Sequence, residues 1–170
     1  PGFKDIKHPV TSEASEIYSA DSILIGRFFS ENRTPVEYGD ISPVIIQTLI
    51  DTEDERFYQH RGIDFQGLFA AVKDIAGGRA RGASTITQQL AKNLFRVRTQ
   101  YSTGLLGKIP GVKILVMKAK EWIVAVKLEM IFSKEEIITM YFNTVDFGSN
   151  SFGIKTACRT YFNTTPDQLT

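Results

Sequence analysis

A carboxylate stands in this chain where helical periodicity asks for an apolar side chain. Ile46, Leu49 or Ile50, position 53 and Phe57 follow one another at steps of three and four. That is the spacing of one helical stripe, which must face a core or a cleft. Position 53 is Glu53, inside the stretch Thr52–Gly62. Burial on such a stripe disfavours the ionised form of a carboxylate. A poised carboxyl in a cleft is what general acid–base catalysis needs. The competing reading is a rim carboxylate paired with a nearby base, since structural ion pairs perturb titration too.

The rest of the chain is punctuated as a mainly α domain with a small N-terminal β-hairpin. Residues 1–16 read as irregular. Ile17-Tyr18 and Ile23 to Phe29 read as two short strands around Ala20-Asp21-Ser22. Ser42-Pro43 opens the helix that carries Glu53 and that should end near Tyr58, before Gly62. Asp64 caps a second helix, closed by Gly77-Gly78. Thr85 and Gln88 fit a capping box, opening an amphipathic helix on Ile86, Leu90 and Leu94. A long helix from Ile114 to about Phe132 shows the stripe Met117, Glu121, Val124, Leu128 and Ile131. Here a second glutamate, Glu121, interrupts an apolar face. Ser133 and Glu136 form another capping box, opening a helix through Phe142. A last helix is expected from Ile154 to Phe162, after the glycines 148 and 153.

The 170 residues suffice for one domain with a sizeable core. A net charge of +1 argues against a nucleic-acid partner, but the basic residues are uneven. Segment 73–120 holds Lys73, Arg79, Arg81, Lys92, Arg96, Arg98, Lys108, Lys113, Lys118 and Lys120 against one acid, Asp74. Such a surface suits a phosphate or an anionic membrane, although a charge run is more often a solvated face. Segment 97–113 mixes glycines with Tyr101, Leu105, Leu106 and Ile109, and reads equally as a bilayer contact or as a surface loop. No run of ~18 apolar residues is present to form a transmembrane helix. Cys158 is the single cysteine, so no intrachain disulfide can form. The opening Pro1-Gly2-Phe3 suggests an excised fragment.

Two glutamates on apolar stripes thus flank a hydroxyl- and amide-rich helix start, with basic residues interleaved. Helix N-termini favour phosphate, and Lys92, Lys118 and Lys120 add point charges. The combination fits a site that joins sugar hydroxyl chemistry to an anionic phosphate group. Other chemistries fare worse. His8 and His60 lack metal-ligand spacing, and His60 reads as structural, holding a helix end. Gly82-Ala83-Ser84-Thr85 lacks the P-loop lysine. Ser84 has no nucleophile-elbow setting.

Two strings carry a resemblance. The first is Glu53-Asp54, Phe57, His60 and Gly62. The second is Gly82, Ser84-Thr85-Ile86-Thr87-Gln88-Gln89 and Lys92-Asn93. Together they resemble the first two motifs of the peptidoglycan glycosyltransferases (glycosyltransferase family 51), found in class A penicillin-binding proteins and in monofunctional relatives. Lys118 and Glu121 resemble the third motif. Lys134, Ile137-Ile138, Tyr141-Phe142-Asn143, Gly148 and Gly153-Ile154 resemble the fourth. The match runs from about residue 17 to 170. Met117 departs from the family's arginine, so one phosphate contact is either missing or supplied by Lys120 or Arg96, and Gly82-Ala83 replaces Gly-Gly.

The resemblance implies a lysozyme-like helical fold over residues 1–170, truncated at both ends, without the membrane anchor or the transpeptidase domain that family members carry. It implies polymerisation of lipid II at the extracytoplasmic, periplasmic face of a bacterial cell membrane. The product is a β-1,4 glycan formed with inversion, and undecaprenyl pyrophosphate is released. Glu53 would be the general base and Glu121 would act at the pyrophosphate, where a divalent cation (Mg2+ or Mn2+) is allowed. Asp54, Phe57, His60, Gly82, Ser84, Thr85, Thr87, Gln88, Gln89, Lys92, Asn93, Lys118, Lys120 and Asn143 would bind substrate. The partners would be lipid II, undecaprenyl-pyrophosphate-linked glycan, the membrane surface, a transpeptidase domain of the same native chain and cell-wall assembly proteins. The rival is a lysozyme-like glycan hydrolase or lytic transglycosylase, which needs no pyrophosphate clamp. A non-catalytic glycan-binding module would need neither glutamate on an apolar stripe.

Overall fold

A computed structural model describes residues 2–7, 15–28, 34–78, 82–95 and 112–169. Residues 97–111 of the glycine-rich segment, and Arg79, Arg81, Arg96, Arg98 and Lys108, lie outside the described residues. The chain divides into two compact units: Pro1–Pro9 with Gln47–Ile137, and Val10–Ile46 with Ile138–Thr170. Among the described residues helices dominate, and the only strands are two short ones.

The first unit is built on helices α3 (Phe65–Ala76), α4 (Ile86–Phe95) and α5 (Val112–Ile131). Helices α4 and α5 pack on each other. Ile86, Leu90 and Ala91 of α4 are buried, as are Val124, Ala125 and Leu128 of α5. Each large side chain buried in this way contributes about 2 kcal/mol. A short helix α1 (Phe3–Lys7) also meets α5, inside a stretch that reads as irregular. Two local features explain it. The Gly2 N–H donates to Asp5 Oδ2 at 2.8 Å, and Ile6 is fully buried.

Helix α2 (Pro43–Glu53) ends sooner than its stripe predicts. The chain turns after Glu53, with the Phe57 N–H on the Asp54 carbonyl (2.8 Å) and the Gln59 N–H on the Arg56 carbonyl (2.8 Å). Phe57 is still fully buried, although it reaches the core from a turn rather than from the helix. The early stop reverses the expectation for Glu53. As the last residue of α2 it is exposed, not buried on an apolar face. Glu121 behaves as the stripe predicts and is 1% exposed.

Gly62 marks the closest approach of the turn to α5. Its φ is +84°, and a Cβ there would lie 2.8 Å from the Ala125 carbonyl carbon and 2.9 Å from its oxygen. Only glycine accepts both the left-handed backbone and the contact.

The second unit carries α7 (Ile154–Phe162), with Asn163 left-handed at its end. Strands β1 (Ser15–Tyr18) and β2 (Leu24–Phe28) pair antiparallel there. Asn143 joins this unit to its own loop: Val36 N–H donates to Asn143 Oδ1, and Asn143 Nδ2 donates to the Val36 carbonyl, both at 2.9 Å. Cys158 is buried, and burial pushes its thiol upward. Helix α6 (Lys134–Thr144) opens with the expected reciprocal box. Ser133 N–H donates to Glu136 Oε2 at 2.7 Å, and Glu136 N–H donates to Ser133 Oγ at 3.2 Å.

Candidate active site

All the candidate residues except Asn143 belong to the first unit. The site begins with two neighbouring carboxylates that point to different fates. Asp54 is buried. Its carboxylate accepts from His60 Nε2 at 2.9 and 3.0 Å and from the Ile86 N–H at 3.0 Å. Because Nε2 faces a carboxylate, it carries the proton. Thr85 Oγ1 accepts from the Gln88 N–H at 3.1 Å. Two of the donors in the first turn of α4 are therefore taken by protein groups. Asp54 also supplies the negative charge that the helix dipole favours. The phosphate seat expected at this helix start is held by the protein's own carboxylate.

The Thr85–Gln88 capping box forms by half. The Gln88 side chain donates instead to the Gly62 carbonyl (3.1 Å), which also accepts from Thr85 Oγ1 (2.8 Å). Gln88 Oε1 is buried with no hydrogen-bond partner among the described residues. Thr87 is fully buried and donates to Glu129 Oε1 at 2.6 Å. Lys134 Nζ reaches the same oxygen and the His60 carbonyl, each at 2.8 Å, and stands 4.2 Å from the Phe57 ring centroid. Asp54, Phe57, His60, Thr85, Thr87 and Gln88 thus form a bonded framework beneath the site. For Phe57, Thr87 and Gln88 the expected substrate contact gains no support from this placement, whereas Asp54 and Thr85 also line the cleft. Asn143 serves in the second unit as the clamp on Val36.

A cleft is lined by Glu53 to Arg56, Asp64, Gly67 and Gly82 to Thr85. Glu53 Oε2 accepts from Gln89 Nε2 at 2.7 Å. Ser84 Oγ accepts from Lys118 Nζ at 2.7 Å, and the same ammonium lies 3.2 Å from Glu121 Oε2. A hydroxyl of the cleft wall, a cation and a buried glutamate are linked in one line. Lys92 and Asn93 are exposed on α4, and Lys120 is half-buried on α5.

Arg56 and Asp64 are cleft residues that the sequence reading passed over. Arg56 Nε and Nη2 donate to Asp64 Oδ2 at 3.1 and 2.7 Å. Asp64 Oδ1 also caps α3 by accepting from the Gly67 N–H at 2.9 Å. The cap was legible, but an ion pair eight residues apart across a turn has no periodic signal. Partial burial pushes the Asp64 carboxyl up, yet the Arg56 and Gly67 hydrogen bonds outweigh it and hold the group below the usual carboxylate range. A carboxyl lowered in the folded state stabilises it above the unfolded value, and that stability disappears as pH falls through the folded value. Asp64→Asn should therefore cost stability above about pH 5, and the cost should shrink below about pH 4. Denaturant titrations of both proteins at neutral and acid pH measure this.

The residues around Glu121 do not fit a protein-only metal cage. Among the described residues no group of three or more His, Cys, Asp or Glu side chains could hold an ion. The Lys118 ammonium already stands at the Glu121 carboxylate.

Residues 21–170 match the model of the family described as "Transglycosylase". The chain is 38% identical over 170 residues to penicillin-binding protein 1A of Escherichia coli K12, covering 99% of this chain and 18% of that protein. It is 38% identical over 159 residues to penicillin-binding protein 1A of Haemophilus influenzae, covering 91% of this chain and 17% of that protein. It is 37% identical over 168 residues to penicillin-binding protein 1F of Bacillus subtilis, covering 98% and 22%. The chain spans about a fifth of the length of these curated relatives.

Proposed function

Because this chain belongs to the transglycosylase family, we propose that it is the peptidoglycan glycosyltransferase domain of a longer cell-wall enzyme, with a lysozyme-like helical fold. The observation that carries this reading is one cleft holding an exposed glutamate, Glu53, and a serine bonded to a lysine, Ser84 with Lys118. A hydrolase of glycan strands needs the carboxylate but has no use for a hydroxyl bonded to an ammonium in the same cleft. A sugar pyrophosphate donor needs both.

In this reading the donor is the growing glycan on undecaprenyl pyrophosphate, and the acceptor is lipid II. Glu53 takes the proton from the 4-hydroxyl of the acceptor N-acetylglucosamine. That oxygen attacks the anomeric carbon from the face opposite the leaving group. The new β-1,4 bond forms as the bond to pyrophosphate breaks, and the electron pair leaves with the pyrophosphate. Lys118, steered by Glu121, and Ser84 meet the charge that develops there, with Lys92 as a further point charge. Preorganised cations at developing charge are among the largest catalytic terms. The decisive test gives the full-length protein lipid II and, separately, finished glycan strands. Strand extension is expected. Cleavage of finished strands without extension would select the hydrolase reading.

A lipid-linked donor requires the site to work at a bilayer, and in this reading that is the outer face. No helix among the described residues is long and apolar enough to cross a membrane. Apolar surface is nonetheless exposed. Phe65 and Phe69, one turn apart on α3, are 69% and 76% exposed, and Ile114 and Leu115 stand out at the start of α5. A helix face of this kind suits the interface of a membrane. Replacing both phenylalanines by serine should weaken sedimentation with anionic vesicles severalfold while the thermal unfolding midpoint stays nearly unchanged.

A further inference from the structure

We propose that Gln89 is a positioning residue for Glu53: its side-chain amide holds one carboxylate oxygen and leaves the other to take the proton of the acceptor hydroxyl. The inference rests on Glu53 being the general base, and its test separates the two claims.

Glu53 is poorly held by its own surroundings. It is the last residue of α2, it is exposed, and its neighbour Asp54 is turned inward to other partners. A glutamate in that situation samples many rotamers. General-base catalysis tolerates little of this, since the accepting oxygen must come within hydrogen-bond reach of the proton. The Gln89 amide meets that need, with Nε2 lying 2.7 Å from Glu53 Oε2.

Gln89 itself stands on a fixed platform. It is half-buried on α4, between Gln88 and Leu90, which are buried. The same turn is pinned by Asp54 on the Ile86 N–H, by Thr85 on the Gln88 N–H and by Thr87 on Glu129. The donor type also matters. A neutral amide orients the carboxylate, whereas a lysine or arginine at that distance would stabilise the anion so strongly that it becomes a poor base. One oxygen is occupied and the other keeps its lone pairs.

The test uses the full-length protein with lipid II as substrate, comparing wild type, Gln89→Met, Gln89→Glu and Glu53→Gln. Methionine keeps the length and removes the donor. Glutamate keeps the length and sets a second carboxylate against Glu53. Asp54, Glu55, Asp64 and Arg56 line the same cleft and are unchanged in both Gln89 variants, so any difference belongs to Gln89. In Gln89→Met we expect kcat to fall about tenfold or more with KM nearly constant. The acid limb of the kcat/KM profile should move to higher pH, because a hydrogen bond to the ionised form is lost. In Gln89→Glu it should move further, since two close carboxylates share a proton. An unmoved acid limb in both variants, with Glu53→Gln inactive, overturns the positioning role and leaves the base role standing. A raised KM with unchanged kcat overturns it in favour of a direct substrate contact. Near wild-type turnover in Glu53→Gln overturns the base role and this inference with it.

Discussion

Glutamine in place of Glu53 should lower the turnover of glycan polymerisation by about a hundredfold or more, the range that a positioned general base supplies. The substitution is well suited to its purpose. Glu53 is exposed and carries no part of the buried framework. Among the described residues its side-chain partner is Gln89, whose amide can donate to the carbonyl of a glutamine as it does to a carboxylate. The variant should fold with a thermal midpoint close to that of the wild type. It loses only the oxygen that can accept a full proton. Binding of the lipid-linked donor should survive, because the ammonium proposed to meet pyrophosphate, Lys118, is bonded to Ser84 and Glu121 and not to Glu53. A kcat within threefold of wild type, measured with lipid II, would remove Glu53 from the mechanism.

Asp54→Ala should fail in the opposite way, through stability. It removes a buried carboxylate that accepts from His60 and from the first N–H of α4. Both donors are then left facing a cavity. Leaving a buried donor unsatisfied costs roughly 1–3 kcal/mol each, and the lost helix cap belongs to the same figure. For a chain of this size the thermal midpoint should fall by roughly 10 °C. Asp54→Asn keeps one acceptor oxygen and should lose clearly less. Differential scanning calorimetry of the two variants decides it, and equal losses would show that charge, rather than the acceptor, is what the site uses.

These neighbours show what periodicity can and cannot reveal. The spacing of Ile46, Ile50 and Phe57 correctly marked buried positions, but it assumed one continuous helix through Glu53. Local hydrogen bonding of the 54–59 turn ended the helix first. Asp54 is drawn inward by Ile86, a residue 32 positions away, and no local pattern carries that pull. The boxes at Ser133 and Thr85 were equally visible in the sequence. The first closed on both sides. The second formed only by half, because the Gln88 side chain found the Gly62 carbonyl. Glu121 was legible because α5 is long and regular. Lys134 was legible as part of a motif, but its junction with His60, Glu129 and Phe57 needs the tertiary fold.

Gly62 has a consequence for how such a chain can vary. Its carbonyl serves Thr85 and Gln88, while its Cα lies against the backbone of α5. The atoms that a new Cβ would strike are main-chain atoms, which no choice of rotamer can move aside. Position 62 is therefore closed to drift from either side. A change at Ala125, even to glycine, cannot open room for it, because the atoms in the way belong to the main chain. In a library of random variants selected for cell-wall synthesis, the tolerated alphabet at this position should hold one letter, whereas exposed Glu55 nearby should accept many.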